Sequence, residues 1–224
     1  DEIVIVDSFS TDATIQLAKK FPVKIIQRDY EYSASQKNWA IPQAKHDWVF
    51  ILDADERVTV KLKEEILKIL QNPPKTITGY WVYRKNHFIN QHIKYSGWQN
   101  DKVIRLFKKN ECKYEDKRVH AEIETSGNLA FLKYKLEHYS FMSVDQYTAK
   151  LNRYASWQAQ DYDSKTGLIT LYHLFCKPAW RFIKHYFIQQ GFRDGLPGFT
   201  ISYLQAYAAA MRYIKLWILR KSKK

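Results

Sequence analysis

Cysteine is scarce in this 224-residue chain, which has only Cys112 and Cys176. Two thiols make no disulfide framework, and their separation fits no zinc-binding pattern. A reducing compartment is consistent with that usage. Long apolar runs are missing too. The longest stretch, Phe199 to Leu219, is interrupted by Gln205, Arg212 and Lys215. A spanning helix needs roughly 20 predominantly apolar residues, and central charges are costly, so this stretch reads as a core or membrane-surface helix. There is no signal-peptide pattern, no internal repeat and no low-complexity segment.

Acidic residues are in short supply: 23 Asp/Glu against 36 Lys/Arg, a formal charge of +13. The shortfall is uneven. Residues 1–140 hold 23 cations against 19 acids, a balance of +4, whereas residues 141–224 hold 13 against 4, a balance of +9. A basic module seeks an anionic partner such as nucleic acid, acidic lipid headgroups or a phosphorylated glycan. No nucleic-acid reader motif is present, which sets the first of these aside.

What the chain does have is enough apolar content, 46 %, for a folded core. Glu2-Ile-Val-Ile-Val6 has the pattern of a buried parallel strand, and Thr11 or Asp12 can cap the helix that follows. Val23-Lys-Ile-Ile26 is a second strand. A helix is expected over Ser35–Ala44, shortened or kinked at Pro42. Asp47 to Leu52 is a third strand, and Val60–Leu70 an amphipathic helix closed by Pro73 and Pro74. This alternation predicts an α/β fold with a parallel sheet. Beyond Gly79, strands are expected at Tyr80–Tyr83, Lys102–Phe107 and Leu129–Tyr134. From Ser143 onward the pattern is helical, over Val144–Asp163, Leu168–Gln190 and Thr200–Leu219.

Ligands of open α/β sheets bind at the carboxyl ends of the strands. Asp7 ends the first strand, and Asp53 and Asp55 end the third, so three carboxylates are expected on one rim. Clustered carboxylates repel one another unless a cation joins them. A divalent metal bridging a diphosphate would do so, because Mg²⁺ and Mn²⁺ prefer oxygen ligands and share them with substrate phosphates.

Asp7-Ser-Phe-Ser-Thr-Asp12, then Gln36-Lys-Asn38, then Asp53-Ala-Asp-Glu-Arg57 resemble the successive nucleotide-sugar motifs of GT-A family 2 glycosyltransferases. The series continues with Trp98, Asp101, Arg105-Leu-Phe107, Val119-His120-Ala-Glu122 and His138-Tyr-Ser140, and is similar to the branch containing lipopolysaccharide-core β-glucosyltransferases. The resemblance implies a GT-A Rossmann-like nucleotide-binding sheet with a helical C-terminal extension. It divides the chain into a catalytic domain over 1–142 (nucleotide-sugar half 1–75, acceptor half 76–142) and a basic, aromatic-rich extension over 143–224. The family normally opens with one more strand and helix, so a chain starting at Asp1 reads as a fragment.

By the same resemblance, Asp7 holds the nucleotide base, Ser8 belongs to the nucleotide-sugar site, Lys37 approaches the diphosphate or nearby backbone, and Asp53 contacts the ribose or the metal's water shell. Asp55, reached through Ala54, ligates Mn²⁺ or Mg²⁺, with His120 as a further ligand, while His138 is read as structural. An inverting transfer needs a base for the acceptor hydroxyl, and Asp101 is the leading candidate with Glu122 behind it. Trp81 and Trp98 are candidates either for stacking on a sugar or for core packing. The donor implied is a UDP-sugar, with UDP-glucose the first expectation, and the acceptor a lipopolysaccharide-core or other lipid-linked glycan. A capsule or polyprenyl-phosphate glycosyltransferase, a nucleotidyltransferase, and a non-catalytic nucleotide- or nucleic-acid-binding protein are the alternatives. Rings alternate with cations over 172–193, which suits a helix lying in an anionic membrane interface. The expected location is the inner face of the cytoplasmic membrane.

Overall fold

The computed structural model describes residues 2–117 and 121–223. The chain divides into two compact units, the first made of Asp1–Ala54, Val58–Tyr83 and Lys102–Lys135, the second of Asp55–Arg57, Arg84–Asp101 and Leu136–Lys224.

The first unit opens with the expected parallel pair, in which strand Val4–Asp7 runs beside Lys24–Gln27 with Val4 opposite Lys24 and Asp7 opposite Gln27. The connection between parallel strands has to be a crossover, here carrying helix Thr14–Ala18. The Asp12 side chain accepts from the Thr14 N–H at 3.0 Å at the start of that helix. Helix Ser33–Ala40 tightens into a 3₁₀ turn at Ile41–Gln43, where Pro42 has no N–H to continue an α-helical ladder.

Strand Trp48–Phe50 pairs antiparallel with Lys102–Lys108, not parallel with the opening strands. Lys102–Lys108 in turn runs antiparallel to the Ile77–Tyr83 part of the long strand Ile77–Phe88, which takes Asn128–Phe131 parallel on its other side. Ile104 and Phe107 bury their side chains with Ala34, Ile41, Tyr114 and Ile123, so helix Ser33–Ala40 and the hairpin Cys112–Tyr114/Ile123–Thr125 share one core. Helix Val60–Gln71 begins at Thr59, whose hydroxyl accepts from the Leu62 N–H at 3.2 Å, and buries Leu62 and Ile66 one turn apart.

In the second unit, Leu136–Phe141 lies between Arg84–Phe88, which it pairs in parallel, and Glu56–Arg57, which it pairs antiparallel. Helix Val144–Asp161 is capped by the Ser143 hydroxyl, 3.1 Å from the Gln146 N–H. The expected helix over 168–190 is helical from Tyr172 to Ile188, but with wide π turns at Tyr172–Cys176 and Lys184–Ile188 flanking the α-helix Lys177–Ile183. The first π turn runs into Pro178, which cannot donate to the preceding turn. Helix Gly195–Ser222 closes the chain. Ile201 packs with Phe88, Ile93, Tyr147 and Leu151, and Tyr213 and Leu216 pack with Ala159. Gly198 is required by close approach, because a Cβ there would lie 2.0 Å from the Gly191 carbonyl oxygen.

Asp194, just ahead of that last helix, is buried. Its carboxylate accepts from the Lys94 N–H at 3.0 Å, the Tyr95 N–H at 2.9 Å and the Ser96 hydroxyl at 2.8 Å. Removing it leaves buried donors without their acceptor, which costs more than one ordinary hydrogen bond. Asp194→Ala is expected to lower stability by about 3 kcal/mol in urea unfolding. A loss within experimental error would show that water replaces the carboxylate.

Candidate functional site

Strand Val4–Asp7 delivers Asp7 to its carboxyl end, where the side chain is buried. The carboxylate accepts from the Ser10 N–H and hydroxyl and, at 2.9 Å, from Gln27 Nε2 on the neighbouring strand. The Ser10 hydroxyl and then Gln27 hold its pKa below the ordinary value. Ser8 is exposed and accepts from Gln36 Nε2 at 3.2 Å.

Lys37 comes from helix Ser33–Ala40 and Arg105 from strand Lys102–Lys108, and both reach Asp53. Lys37 Nζ is 2.9 Å from Asp53 Oδ1, and Arg105 Nη2 is 2.5 Å from Oδ2. Burial pushes the Asp53 carboxyl up, but the Arg105 and Lys37 charges outweigh it and hold the carboxyl below the ordinary range. Lys37 also lies 5.3 Å from the centre of the Tyr114 ring. Because the folded state holds Asp53 ionised, its contribution to stability is present above the unfolded value of 3.8 and is lost as pH falls through the lower folded one. Asp53→Asn is therefore expected to lower the urea midpoint at neutral pH, with the gap to wild type closing in strong acid. A gap constant across that range would contradict the ion-pair account.

Asp55 belongs to the second unit. The Tyr139 N–H donates to the Asp55 carbonyl at 2.8 Å, and His138 Nε2 lies 3.3 Å from Asp55 Oδ2. The other face of that imidazole is fixed by a chain of hydrogen bonds. Asp101 accepts both Arg84 bonds, from Nε at 3.0 Å and Nη2 at 2.8 Å, and a third from Asn86 Nδ2 at 2.7 Å. An ionised carboxylate only accepts, so the Asn86 amide must point its nitrogen at Asp101 and its oxygen at His138. His138 Nδ1, 2.5 Å from that oxygen, then carries a proton and donates to it, which fixes the ring with Nε2 toward Asp55. The Ser140 hydroxyl donates to the same oxygen at 3.2 Å. Burial raises the Asp101 pKa, but the Arg84 and Asn86 hydrogen bonds and the Arg84 charge bring it below the usual value. Fully buried Glu56 stands 3.6 Å from Arg84 Nη1.

Thus Lys37 and Asp53 are brought together in the first unit, and Asp55 and Asp101 are linked through Asn86 and His138 in the second. Ala54 is the residue at which one unit gives way to the other along the chain. Glu122 lies in the first unit, exposed, with its N–H donating to Glu115 at 3.1 Å. His120 lies outside the described residues. Among the described residues no three His, Cys, Asp or Glu side chains gather as a metal cluster. Trp98 packs against the core around Phe88 and Tyr147, whereas Trp81 stacks on Phe131 at 6.4 Å, with Lys102 Nζ 4.6 Å from the Trp81 ring centre. Arg84 and Asn86 are not among the residues singled out by the sequence motifs, and His138, expected there to be structural, faces Asp55. Arg84 and Asn86 are two apart on one strand and His138 and Ser140 two apart on the next, and that shared period of two was the available signal.

A family profile described as Glycosyl transferase family 2 matches residues 1–139. An uncharacterized glycosyltransferase of Rickettsia typhi is 30 % identical, over 96 % of this chain and 77 % of that protein. The lipopolysaccharide core biosynthesis glycosyltransferase LpsC of Rhizobium meliloti is 28 % identical, over 96 % of this chain and 82 % of LpsC. Among solved structures, S. aureus TarS 1–349 in complex with UDP aligns with a TM-score of 0.42 at 14 % identity, covering 99 % of this chain and 81 % of that one. The fold is mixed α/β with a helical C-terminal part, of the GT-A type. The chain belongs to glycosyl transferase family 2.

Proposed function

We propose that this glycosyltransferase moves a hexose, glucose first among the candidates, from a UDP-sugar to a lipopolysaccharide-core or similar lipid-linked glycan with inversion at the anomeric carbon. The observation that carries the reading is the hydrogen-bonded series Asp101–Asn86–His138–Asp55. It puts an ionised candidate base and a carboxylate–imidazole pair into one network. LpsC, a relative over nearly the whole chain, is the support for the acceptor class. That acceptor class implies work at the inner face of the cytoplasmic membrane.

The pair Asp55 and His138 suits Mn²⁺ or Mg²⁺. A carboxylate oxygen and an imidazole nitrogen, here 3.3 Å apart, are both groups that ligate such ions, the imidazole in its neutral form. Asn86 sets the imidazole as an outer-shell partner does for metal-bound histidines. A bound divalent ion supplies positive charge for the departing diphosphate. The chain's own residues do the rest. Asp7 and Ser8 receive the base of the nucleotide. Lys37, anchored by Asp53, offers a cation to the diphosphate. Asp101 takes the proton of the acceptor hydroxyl at its carboxylate oxygen, the Arg84 fork keeping it ionised and aimed. Glu122, exposed on the first unit, is the second candidate for that proton.

Product analysis tests the reaction class. Incubation with UDP-glucose and a lipopolysaccharide-core acceptor is expected to release UDP. Release of pyrophosphate from a nucleoside triphosphate and a sugar phosphate would point to nucleotidyl transfer instead.

A further inference from the structure

The helical run from Leu171 to Ile188 is turned inside out. Its exposed positions are, apart from Lys184, all aliphatic, aromatic, alanine or cysteine. Leu171 is 72 % exposed, Phe175 66 %, Trp180 59 %, Phe187 56 % and Ile188 58 %. The polar side chains point the other way, at every fourth position. His173 packs on the Tyr213 ring at 4.9 Å, and Lys177 donates to the Tyr213 hydroxyl at 2.7 Å. Arg181 is half-buried, and His185 is buried with Nδ1 2.9 Å from the Ser96 carbonyl oxygen. A water-facing helix has the opposite arrangement. The π turns at Tyr172–Cys176 and Lys184–Ile188 keep the outward stripe in line along the run. The stripe is prolonged beyond the helix by Phe192, 50 % exposed, and Leu196, 76 % exposed. Contiguous apolar surface on this scale marks an interaction face.

Charge selects the occupant. No acidic residue lies between Asp163 and Asp194 or after Asp194. Asp194 is buried against the 94–96 loop, and Asp163 is paired with Arg220 and Lys223. The exposed cations Lys165, Lys184 and Arg193 accompany the apolar face. Two copies meeting through this surface would oppose like charges, whereas an anionic lipid surface supplies both the apolar depth and the counter-charge. No helix among the described residues is long and apolar enough to cross a membrane, so the fitting mode is a helix lying in the interface plane.

We propose that the outward face of residues 171–188, extended by Phe192 and Leu196, docks this chain onto the surface of an anionic phospholipid bilayer. The inference rests on the reading that the acceptor is lipid-linked, and it assigns the membrane contact to particular side chains. Docking there holds the transferase at the surface where such an acceptor is confined.

The test is co-sedimentation of the whole chain with phosphatidylcholine vesicles, with and without phosphatidylglycerol. It is run beside a triple variant, Phe175→Ser, Trp180→Ser and Phe187→Ser, with circular dichroism and UDP affinity as controls. All three side chains are exposed, so the variant is expected to keep its fold and its UDP affinity. Wild type is expected to pellet with the phosphatidylglycerol vesicles, and the variant to partition more than about tenfold less. Equal partitioning of the two proteins overturns the proposal. So does a wild-type dimer in sedimentation velocity that the variant dissociates while neither protein pellets, which would make this a self-association face. Normal UDP binding without vesicle binding removes the lipid face alone. Vesicle binding lost in the variant, in a protein that binds no UDP, keeps the lipid face and removes the UDP-sugar donor.

Discussion

Asp101→Asn is expected to slow glycosyl transfer by about 10²–10⁴-fold, the range that general-base catalysis contributes, while leaving UDP affinity within a fewfold of wild type. Both Asp101 oxygens are acceptors, from Arg84 and from Asn86. Asparagine keeps the shape but has no ionised oxygen to take a proton. It also turns an NH₂ group toward one of those donors, so a stability loss of about 1–3 kcal/mol is expected alongside. Unfolding midpoints and calorimetric UDP binding separate the two effects. A folded, UDP-binding variant with an unchanged rate would remove Asp101 from the chemistry and return attention to Glu122.

The second large effect is expected at Asp55. Asp55→Ala removes one of the two proposed ligands and should reduce Mn²⁺-dependent UDP affinity by more than about 100-fold, because the ion would keep too few protein ligands. The side chain is well exposed, and the main-chain bond from the Tyr139 N–H to the Asp55 carbonyl does not involve it, so the fold should survive. His138→Gln is expected to weaken the same binding by about 10–100-fold, since an amide is a poorer ligand than imidazole. Full metal dependence in both variants would contradict the assignment of this pair.

Legibility in the sequence differed from element to element for physical reasons. The parallel pair ending in Asp7 was readable because β-branched runs are a local signal, although the N-cap of the helix that follows is Ala13 and Asp12 bonds the Thr14 N–H from one residue further out. The shortening of the next helix at Pro42 was readable too, since proline is a local signal, but not that the chain continues there as a 3₁₀ turn. The direction of Trp48–Phe50 was not, since its partner Lys102–Lys108 lies far downstream, Trp48 pairing with Lys108, and an apolar run does not state its partner. Glu56–Arg57 and Cys112–Tyr114 are too short to show any alternation. At the site, carboxylates at strand ends were visible as a pattern. His138 was not, because its orientation depends on Asn86, and Asn86 depends on Asp101, all distant in sequence. The apolar face of 171–188 was legible as rings mixed with cations, but which of the two faces solvent was decided only by packing against the last helix.

The most direct measurement is a calorimetric titration of UDP into the protein with Mn²⁺, repeated with EDTA. Micromolar binding that EDTA abolishes is expected. Binding of equal strength in EDTA would contradict the metal pair, and no binding under either condition would contradict the UDP-sugar donor itself.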